Sequence, residues 1–247
     1  MENGFPMLKY KKHIIIVTGG NGRFAAILKK IKTKHKIYYP TKKELDITNP
    51  NLIRKYLAQK KATIVIHLAA LSRPMNLHEK NITKSISLNI IGTSNITCAC
   101  SDKKIKLIYF STSYVYPGIK GNYKENASLK PINNYAWSKL GGECAVQLYK
   151  NSLILRVCMT EKPFIHKEAF SDVKTNFIYH EEIADMLLKL LHQRGVINVG
   201  GPIKSVYDFA KTLNPKIKKV SAKKTMLNKF PLNPSMNVSK LKKIILK

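Results

Sequence analysis

The sequence has few cysteines and no long apolar run, and each shortage excludes a class of protein. Its four cysteines form no CxxC pair, and no histidine cluster has zinc-ligand spacing, so neither a disulfide framework nor a metal site is expected. Cys98 and Cys100 lie in an apolar helical stretch and are predicted to be core thiols, which fits a reducing, cytoplasmic setting. No run of about 18 apolar residues occurs, so a membrane span is not expected. Residues 1–12 lack the apolar segment of a secretory signal.

Acidic residues and arginines are also scarce. The chain has 44 Lys and Arg against 14 Asp and Glu, which gives a net charge of +30. Nucleic acid is the first partner that such a charge suggests. However, only 5 of the basic residues are arginine, the residue that recognises bases and phosphates through paired hydrogen bonds. We therefore attribute most of the charge to compositional bias and do not expect nucleic acid as a partner.

Short β-branched runs alternate with helical patterns along most of the chain. Strands are predicted at residues 13–18, 36–39, 63–68, 106–110, 152–157 and 195–200. Helices are predicted at residues 23–34, 50–61, 79–100, 134–148, 181–192, 205–213 and 239–247. This alternation predicts an α/β fold, a Rossmann-type doubly wound parallel sheet.

The 247 residues are enough for one large domain with a small annex. We predict an N-terminal extension at residues 1–12 and a dinucleotide-binding domain at residues 13–158. Residues 159–247 are predicted to form a small, reduced substrate-binding region that is interleaved with the last sheet elements.

A glycine-rich turn follows the first predicted strand. Gly19 permits a tight turn, Gly22 lets the backbone approach a pyrophosphate, and Ala25 allows close contact between helix and strand. A plain strand-to-helix turn with three glycines is the alternative. Because the turn lies between a strand and a helix, the pattern favours a dinucleotide whose phosphates bind at the helix start.

The end of the second strand distinguishes the two nicotinamide dinucleotides, since an acid there binds the ribose 2′-hydroxyl of NAD. Here no acid ends the strand; Lys42 and Lys43 follow it, and Arg23 lies just after the glycine turn. NADP(H) is therefore favoured, with NAD(H) as the alternative.

Tyr135 and Lys139 lie one helical turn apart. The spacing alone is weak evidence, because other tyrosines of this lysine-rich chain also have a lysine four residues later. Tyr135 is singled out by its position on a helix that begins after a strand ending in Ser111 and Thr112. In a doubly wound sheet, the ends of such strands face the cofactor crevice.

With these motifs the chain resembles the extended short-chain dehydrogenases/reductases, which act on nucleotide sugars. The matching residues are Thr18-Gly19-x-x-Gly22-x-x-Ala25, Leu45-Asp46-Ile47-Thr48, His67-Leu68-Ala69-Ala70, Asn89-x-x-Gly92-Thr93, Ser111-Thr112-Ser113-Tyr114-Val115-Tyr116, Tyr135-x-x-x-Lys139 and Leu155-Arg156. Within that superfamily the chain is most similar to the dTDP-4-dehydrorhamnose reductases. The related 4,6-dehydratases carry an Asp-Glu pair where this chain has Ser113-Tyr114, so dehydration is disfavoured.

The resemblance implies a role for each matching residue. Tyr135 would be the general acid, Lys139 would assist it and hold the nicotinamide ribose, and Thr112 would orient the substrate oxygen. Asn89 would anchor a water relay. The implied cofactor-binding residues are Gly19, Gly22, Arg23, Phe24, Lys42, Asp46, Ile47, Leu68, Ala69, Ala70, Tyr135 and Lys139.

The expected activity is reduction of a nucleotide-linked 4-keto-6-deoxy sugar by NAD(P)H, with the nucleotide sugar as the main partner and a homodimer as one assembly. Two alternatives stay open. One is a nucleotide-sugar 4-epimerase, which shares the Thr, Tyr and Lys set. The other is a non-catalytic NADP-binding regulator, since regulatory subunits of methionine adenosyltransferase resemble the same reductases.

Overall fold

The computed structural model describes residues 12–225 and 231–246, so the predicted extension at residues 1–12 lies outside the described residues except for Lys12. The strands are β1 Ile14–Thr18, β2 Lys36–Tyr38, β3 Ile64–His67, β4 Lys106–Thr112, β5 Ser152–Val157, β6 Met159–Thr160, β7 Glu168–Phe170, β8 Lys174–Thr175, β9 Ile178–Tyr179, β10 Gly195–Val199, β11 Lys204–Ser205 and β12 Lys218–Val220. The α-helices are α1 Arg23–Leu28, α2 Pro50–Gln59, α3 Leu77–Lys80, α4 Ile82–Ser85, α5 Gly92–Asp102, α6 Asn134–Gln147, α7 His180–Leu190, α8 Val206–Lys211, α9 Ala222–Thr225 and α10 Ser239–Ile245.

Six strands form one parallel sheet in the order β10-β5-β4-β3-β1-β2. From β1 the chain moves outward to β2 and then crosses back to β3 on the other side of β1. This reversal opens a crevice at the carboxyl ends of β1 and β3, where ligands of doubly wound sheets bind. The predicted α/β fold is confirmed.

Apolar side chains cover both faces of the sheet. On one face, strand residues pack against α1, α7 and α10; Phe24, Leu187 and Leu241 are examples. On the other face, they pack against α2, α5 and α6, with Ile53 and Val146 among the buried residues. Because helices bury both faces, the strands can be continuous apolar runs rather than alternating ones.

The C-terminal third supplies one sheet strand, β10, and a smaller group of short strand pairs. β12 pairs with β7, and β11 pairs with β8. A separate apolar cluster around Phe164, Val173 and Ala210 holds these pairs together. β7 and β12 are strands in stretches where no regular element was predicted.

Two predicted helices are corrected by the structure. The helix predicted at residues 23–34 ends at Leu28, because the next amides, those of Lys30 and Ile31, donate to carbonyls only three residues back. The single helix predicted at residues 79–100 is instead three α-helical pieces and a π-helix, Ile86–Ile91. Asn81 causes the first break, since its backbone is not helical (φ −142°, ψ 76°) and its side chain caps α4 by accepting from the Lys84 amide.

Smaller corrections concern a strand and a thiol. β4 runs two residues further than predicted, so Ser111 and Thr112 belong to the strand itself. Cys100 is buried as predicted, but Cys98 is exposed, because a two-residue step on a helix turns the side chain to the opposite side. Within the described residues, no helix is both long enough and apolar enough to span a membrane.

Candidate active site

The glycine turn after β1 lies directly against the loop that follows β3. Gly19 has a φ of +71°, and a Cβ atom there would lie 2.9 Å from the Ala69 amide nitrogen. Gly20 is equally tight, since its Cβ would lie 2.7 Å from the carbonyl carbon of Tyr39, just beyond β2. Any larger residue at Gly19 would need both an unfavourable φ and a displaced backbone. The turn is therefore tight, and it lies directly against the backbone of the loop after β3 and of the residue after β2.

The start of α1 opens onto this turn. The Gly22 amide donates to the Gly19 carbonyl at 2.8 Å and closes the loop. Among the described residues, no side chain caps the first turn of α1. Its first backbone amides are thus available to an anion, which is the fit that a dinucleotide phosphate requires.

A buried hydrogen-bond network fixes the floor of the crevice. Thr18 accepts hydrogen bonds from the Leu68 and Ala69 amides at 3.2 Å, and its hydroxyl lies 2.7 Å from Nδ1 of His67. Nε2 of His67 lies 3.1 Å from the hydroxyl of Thr93 on α5. Burial lowers the pKa of His67 to about 3, with a smaller contribution from Lys139. The imidazole is therefore neutral and ties β1, β3 and α5 together.

Across the crevice, one carboxylate holds two arginines. Glu161, which follows β6, is paired with Arg23 of α1, and both of its oxygens accept from Arg73, at 3.1 and 3.3 Å. Burial alone would raise the pKa of Glu161, but its own backbone amide and the charges of Arg73 and Arg23 bring it below its usual value. The Arg23 guanidinium, predicted to favour NADP, thus contacts a protein carboxylate in this structure.

Of the other predicted cofactor residues, Lys42 and Asp46 are charged, and the rest are apolar and lie in the core or beside the glycine turn. Lys42 is exposed and lies 3.6 Å from Asp46, whose carboxylate also accepts from the amide and hydroxyl of Thr48. Ile47 is a core residue that packs against Gly92 of α5. Phe24 is buried against Phe110, and Leu68, Ala69 and Ala70 are half-buried beside the glycine turn.

The predicted catalytic residues lie close together at the end of β4. Thr112 is the last residue of β4 and is buried, and the half-buried Tyr135 is in the first turn of α6. Burial raises the pKa of Tyr135, while a hydrogen bond with Thr112 and the charge of Arg73 act in the opposite direction. The phenol is therefore protonated at neutral pH, and the groups around it favour the anion that it leaves on giving up the proton.

Lys139 is buried one turn further along α6. Its ammonium lies 4.2 Å from the ring centre of Tyr109, whose hydroxyl donates to the Lys139 carbonyl at 2.9 Å. Burial lowers the pKa of Lys139 to about 7, against the opposing charge of Glu143. The side chain thus exchanges its proton near neutrality.

Glu143 and Arg156 form an ion pair beneath the site. Both are almost completely buried, and Arg156 donates to Glu143 at 2.5 Å. The second carboxylate oxygen accepts from Ser111 at 2.6 Å, and Arg156 also donates to the Tyr116 hydroxyl at 2.8 Å. Removing one partner of such a pair costs about 3–5 kcal/mol, because the other charge stays buried. The pair therefore fixes α6 against β4 and β5.

Asn89 lies in the π-helix and is completely buried. Its amide group donates to the Leu71 carbonyl at 2.9 Å and to the Ser138 hydroxyl at 2.8 Å, and its oxygen accepts from the Leu71 amide at 2.7 Å. These bonds give both amide hydrogens and the amide oxygen a protein partner, so Asn89 holds the loop after β3 against α6.

Sequence reasoning missed several neighbours of the site. Arg73 and Glu161 are 88 residues apart in sequence and carry no local motif, so their pairing has no sequence signal. Tyr109 is one residue of a buried strand, and nothing in a strand pattern shows that its ring lies under Lys139. Glu143 had a signal that was overlooked, because a lone acid on the apolar side of a helix needs a buried partner.

The chain is similar to known proteins in both its sequence and its structure. A family profile described as the RmlD substrate binding domain matches residues 12–162. A dTDP-4-dehydrorhamnose reductase from Aggregatibacter actinomycetemcomitans is 26% identical over 198 residues, 76% of this chain and 62% of that enzyme. A methionine adenosyltransferase 2 subunit beta from Xenopus laevis is 30% identical over 114 residues, 46% of this chain and 34% of that subunit. The chain thus spans less than two thirds of the length of these curated relatives.

Among solved structures, the dTDP-4-dehydrorhamnose reductase from Bacillus anthracis in complex with NADP superimposes with a TM-score of 0.83. The two chains are 25% identical, and the match covers 94% of this chain and 91% of that one. The similarity extends through the C-terminal third, beyond the residues that the family profile matches.

Proposed function

The chain belongs to the RmlD substrate-binding-domain family, and from that premise we propose that it reduces a nucleotide-linked 4-keto-6-deoxy sugar with NADPH. The observation that carries this proposal is the group formed by Thr112, Tyr135 and Lys139 at the end of β4. Tyr135 holds a proton, has an anion-stabilising hydrogen bond with Thr112, and is followed one turn later by a buried lysine.

The cofactor would bind along the crevice between β1 and β3. The glycine turn and the first amides of α1 fit its phosphates, and Leu68, Ala69 and Ala70 would line its adenosine side. Asp46 and Ile47 are proposed to border the adenine, and Lys42 the 2′-phosphate. The nicotinamide, when bound, supplies the hydride. These assignments rest on the backbone geometry of the turn and on the similarity to a reductase solved with NADP.

The chain's own residues would handle the proton. Tyr135 gives its proton to the carbonyl oxygen of the sugar as that oxygen gains negative charge. Thr112 hydrogen-bonds the same region and orients it, while Arg73 and Thr112 stabilise the phenolate. Lys139, whose pKa is about 7, then returns a proton towards Tyr135. The Glu143–Arg156 pair holds α6 in place against the sheet during this exchange.

The C-terminal region would supply the sugar site. Residues 159–247 contribute β6, β9 and the short strand pairs, and β6 follows β5 at the crevice edge. Within this region we propose the segment from Met159 to Tyr179 as the border of the substrate, since Glu161 and Cys158 already lie near Arg73 and Tyr135.

A homodimer is the assembly that we propose. Four exposed apolar side chains lie on two elements that pack against each other, the α4–π-helix segment and α6: Ile82, Ile86, Ile91 and Trp137. An isolated exposed apolar residue needs no explanation, but four on adjacent helices are typical of a protein interface.

A non-catalytic regulator is the second candidate, and the similarity to the methionine adenosyltransferase subunit favours it. The two candidates separate on turnover. The protein is mixed with NADPH and a panel of dTDP- and UDP-linked keto sugars, and the absorbance of the reduced nicotinamide is followed. Stoichiometric loss of NADPH supports the reductase, whereas binding of NADPH without consumption supports the regulator. Conversion of a sugar substrate without net loss of NADPH supports the 4-epimerase.

A further inference from the structure

A second cleft lies at the opposite edge of the sheet from the cofactor crevice. Its volume is about 180 Å³. It is lined by residues that precede or begin strands of the parallel sheet, among them His13, Thr63, Lys106, Asn151 and Arg194. Because parallel strands all begin at the same edge, these residues gather at the amino ends of β1, β3, β4, β5 and β10. No residue of the proposed active site lines this cleft.

Two cationic side chains, Lys106 and Arg194, line this cleft. Lys106 is 8% exposed, and its ammonium donates to the Gln193 carbonyl at 2.5 Å. Arg194 contacts the Asn151 side-chain oxygen at 3.4 Å, and the rings of His13 and His192 lie 5.3 Å apart. In the part of the chain that the structure describes, neither Lys106 nor Arg194 forms an ion pair, and no carboxylate lines the cleft.

Compositional bias does not account for Lys106. A lysine-rich genome adds lysines that stay in water, whereas a buried ammonium without a counterion has an electrostatic cost. Burial and the neighbouring charge of Arg194 lower the pKa of Lys106 to about 8. One carbonyl near the end of α7 offsets part of this cost. An anion between Lys106 and Arg194 would offset the rest.

We propose that this cleft is a binding site for a small phosphate-class oxyanion. The space fits a group of the size of a phosphate or diphosphate, since water occupies about 30 Å³ per molecule. Arg194 presents a planar fork that suits phosphate oxygens, Lys106 adds a point charge, and Asn151 adds a neutral polar group. The anion is either free in solution or a phosphate carried by a nucleotide.

Pyrophosphate tests the site without reference to catalysis. Calorimetry and thermal unfolding are run in phosphate-free buffer with sodium pyrophosphate, and with sodium chloride at matched ionic strength. When NADPH occupies the crevice, we expect one pyrophosphate per chain and a rise in Tm that chloride does not reproduce, because a ligand of the folded state stabilises it. Saturating NADPH should leave this binding in place, which distinguishes the cleft from the crevice.

Variants locate the binding. Arg194→Gln, at an exposed position, should lose most of the pyrophosphate-dependent rise in Tm and weaken binding at least tenfold, and Lys106→Gln should do the same. Lys55→Gln removes an exposed lysine of α2 and serves as the matched control that keeps the rise. Retention of the rise in Arg194→Gln and Lys106→Gln, or competition by NADPH, overturns the proposal.

A nucleoside diphosphate separates the two sources of the anion. If dTDP binds the NADPH-saturated protein and Arg194→Gln loses that binding, the cleft accepts a phosphate carried by a nucleotide. If only pyrophosphate depends on Arg194, the site takes the free anion. Absence of binding by both ligands overturns the proposal and leaves Lys106 as a donor to the Gln193 carbonyl alone.

Discussion

At the scale of single residues, the proposed reduction depends on which group donates the proton to the sugar oxygen. Burial keeps Tyr135 protonated, and Thr112 and Arg73 favour the phenolate that forms. Tyr135→Phe removes the proton and keeps the ring. We expect kcat to fall by about 10²–10⁴-fold, the usual contribution of a general acid. NADPH affinity, measured by calorimetry, should change less than twofold. A variant that keeps most of its turnover would show that another group donates the proton.

Lys139 sets the pH dependence. Its pKa of about 7 lies well below that of an exposed lysine, because burial disfavours the charged form. The proposed reduction uses the protonated lysine, so kcat/KM should fall as the pH rises. The midpoint should be no lower than about 7, since bound phosphates would raise the pKa of Lys139. Folding has the opposite slope, because the unfolded chain binds the extra proton: stability should increase between about pH 7 and 10. A kcat/KM that rises with pH over this range contradicts the assignment.

Glu161 competes with the cofactor for positive charge. It pairs with Arg23 beside the turn where phosphates are proposed to bind, and also with Arg73. Glu161→Gln removes a negative charge from the crevice, so NADPH should bind about 2–10-fold more tightly at low salt, and less so at high salt. Glu168→Gln, whose carboxylate pairs with Lys218 in the C-terminal region, is the control and should leave affinity unchanged. Weaker NADPH binding by Glu161→Gln would mean that the carboxylate positions the arginines instead.

At the scale of elements, the contact between α6 and the π-helix fixes the site. A Cβ on Gly142 would lie 2.5 Å from the Asn89 carbonyl oxygen, whereas one on Gly141 would meet only the Ile90 side chain. Gly142→Ala should therefore lower the free energy of unfolding by about 1–3 kcal/mol, the usual cost of overpacking. Gly141→Ala is the matched control and should cost less, because a side-chain end can move. Equal losses in urea unfolding would show that the helices are not in close contact here.

An element can be predicted from the sequence when the residues that determine it are adjacent in the chain. β1 and the glycine turn follow from adjacent residues, and so does the Tyr135–Lys139 spacing within α6. The break at Asn81 was also local, since an asparagine before Ile82 is a helix-cap signal that the long apolar pattern concealed. Pairs such as Arg73 with Glu161 join distant segments, so only the folded chain brings them together.

At the scale of the whole molecule, charge has a smaller role than the composition suggests. The net charge of +30 points first to nucleic acid. However, Arg23 and Arg73 lie at the cofactor crevice, and Lys106 and Arg194 line a cleft of phosphate size. The preference for NADP was predicted from Arg23, Lys42 and Lys43. Calorimetry should show tighter binding of NADPH than of NADH. Equal affinities would remove the argument for NADP.

Assembly is the second property of the whole molecule. If Ile86 and Trp137 contribute to a dimer interface, sedimentation should give the mass of two chains. Ile86→Lys should then shift the equilibrium towards a monomer that is still folded by circular dichroism. Ile203→Lys, on the exposed loop before β11, is the control. A wild-type protein that sediments as a monomer would contradict the dimer.

The most direct test of the central claim is the stoichiometry of nicotinamide oxidation. The protein is mixed with NADPH and dTDP-4-dehydrorhamnose, then with the other keto sugars of the panel, and the loss of absorbance is compared with the sugar alcohol formed. The account predicts one NADPH consumed for each alcohol formed with at least one of these sugars, and consumption by Tyr135→Phe that is slower by about 10²–10⁴-fold. If the wild-type protein binds NADPH but reduces no keto sugar of the panel, the proposed reductase activity is contradicted.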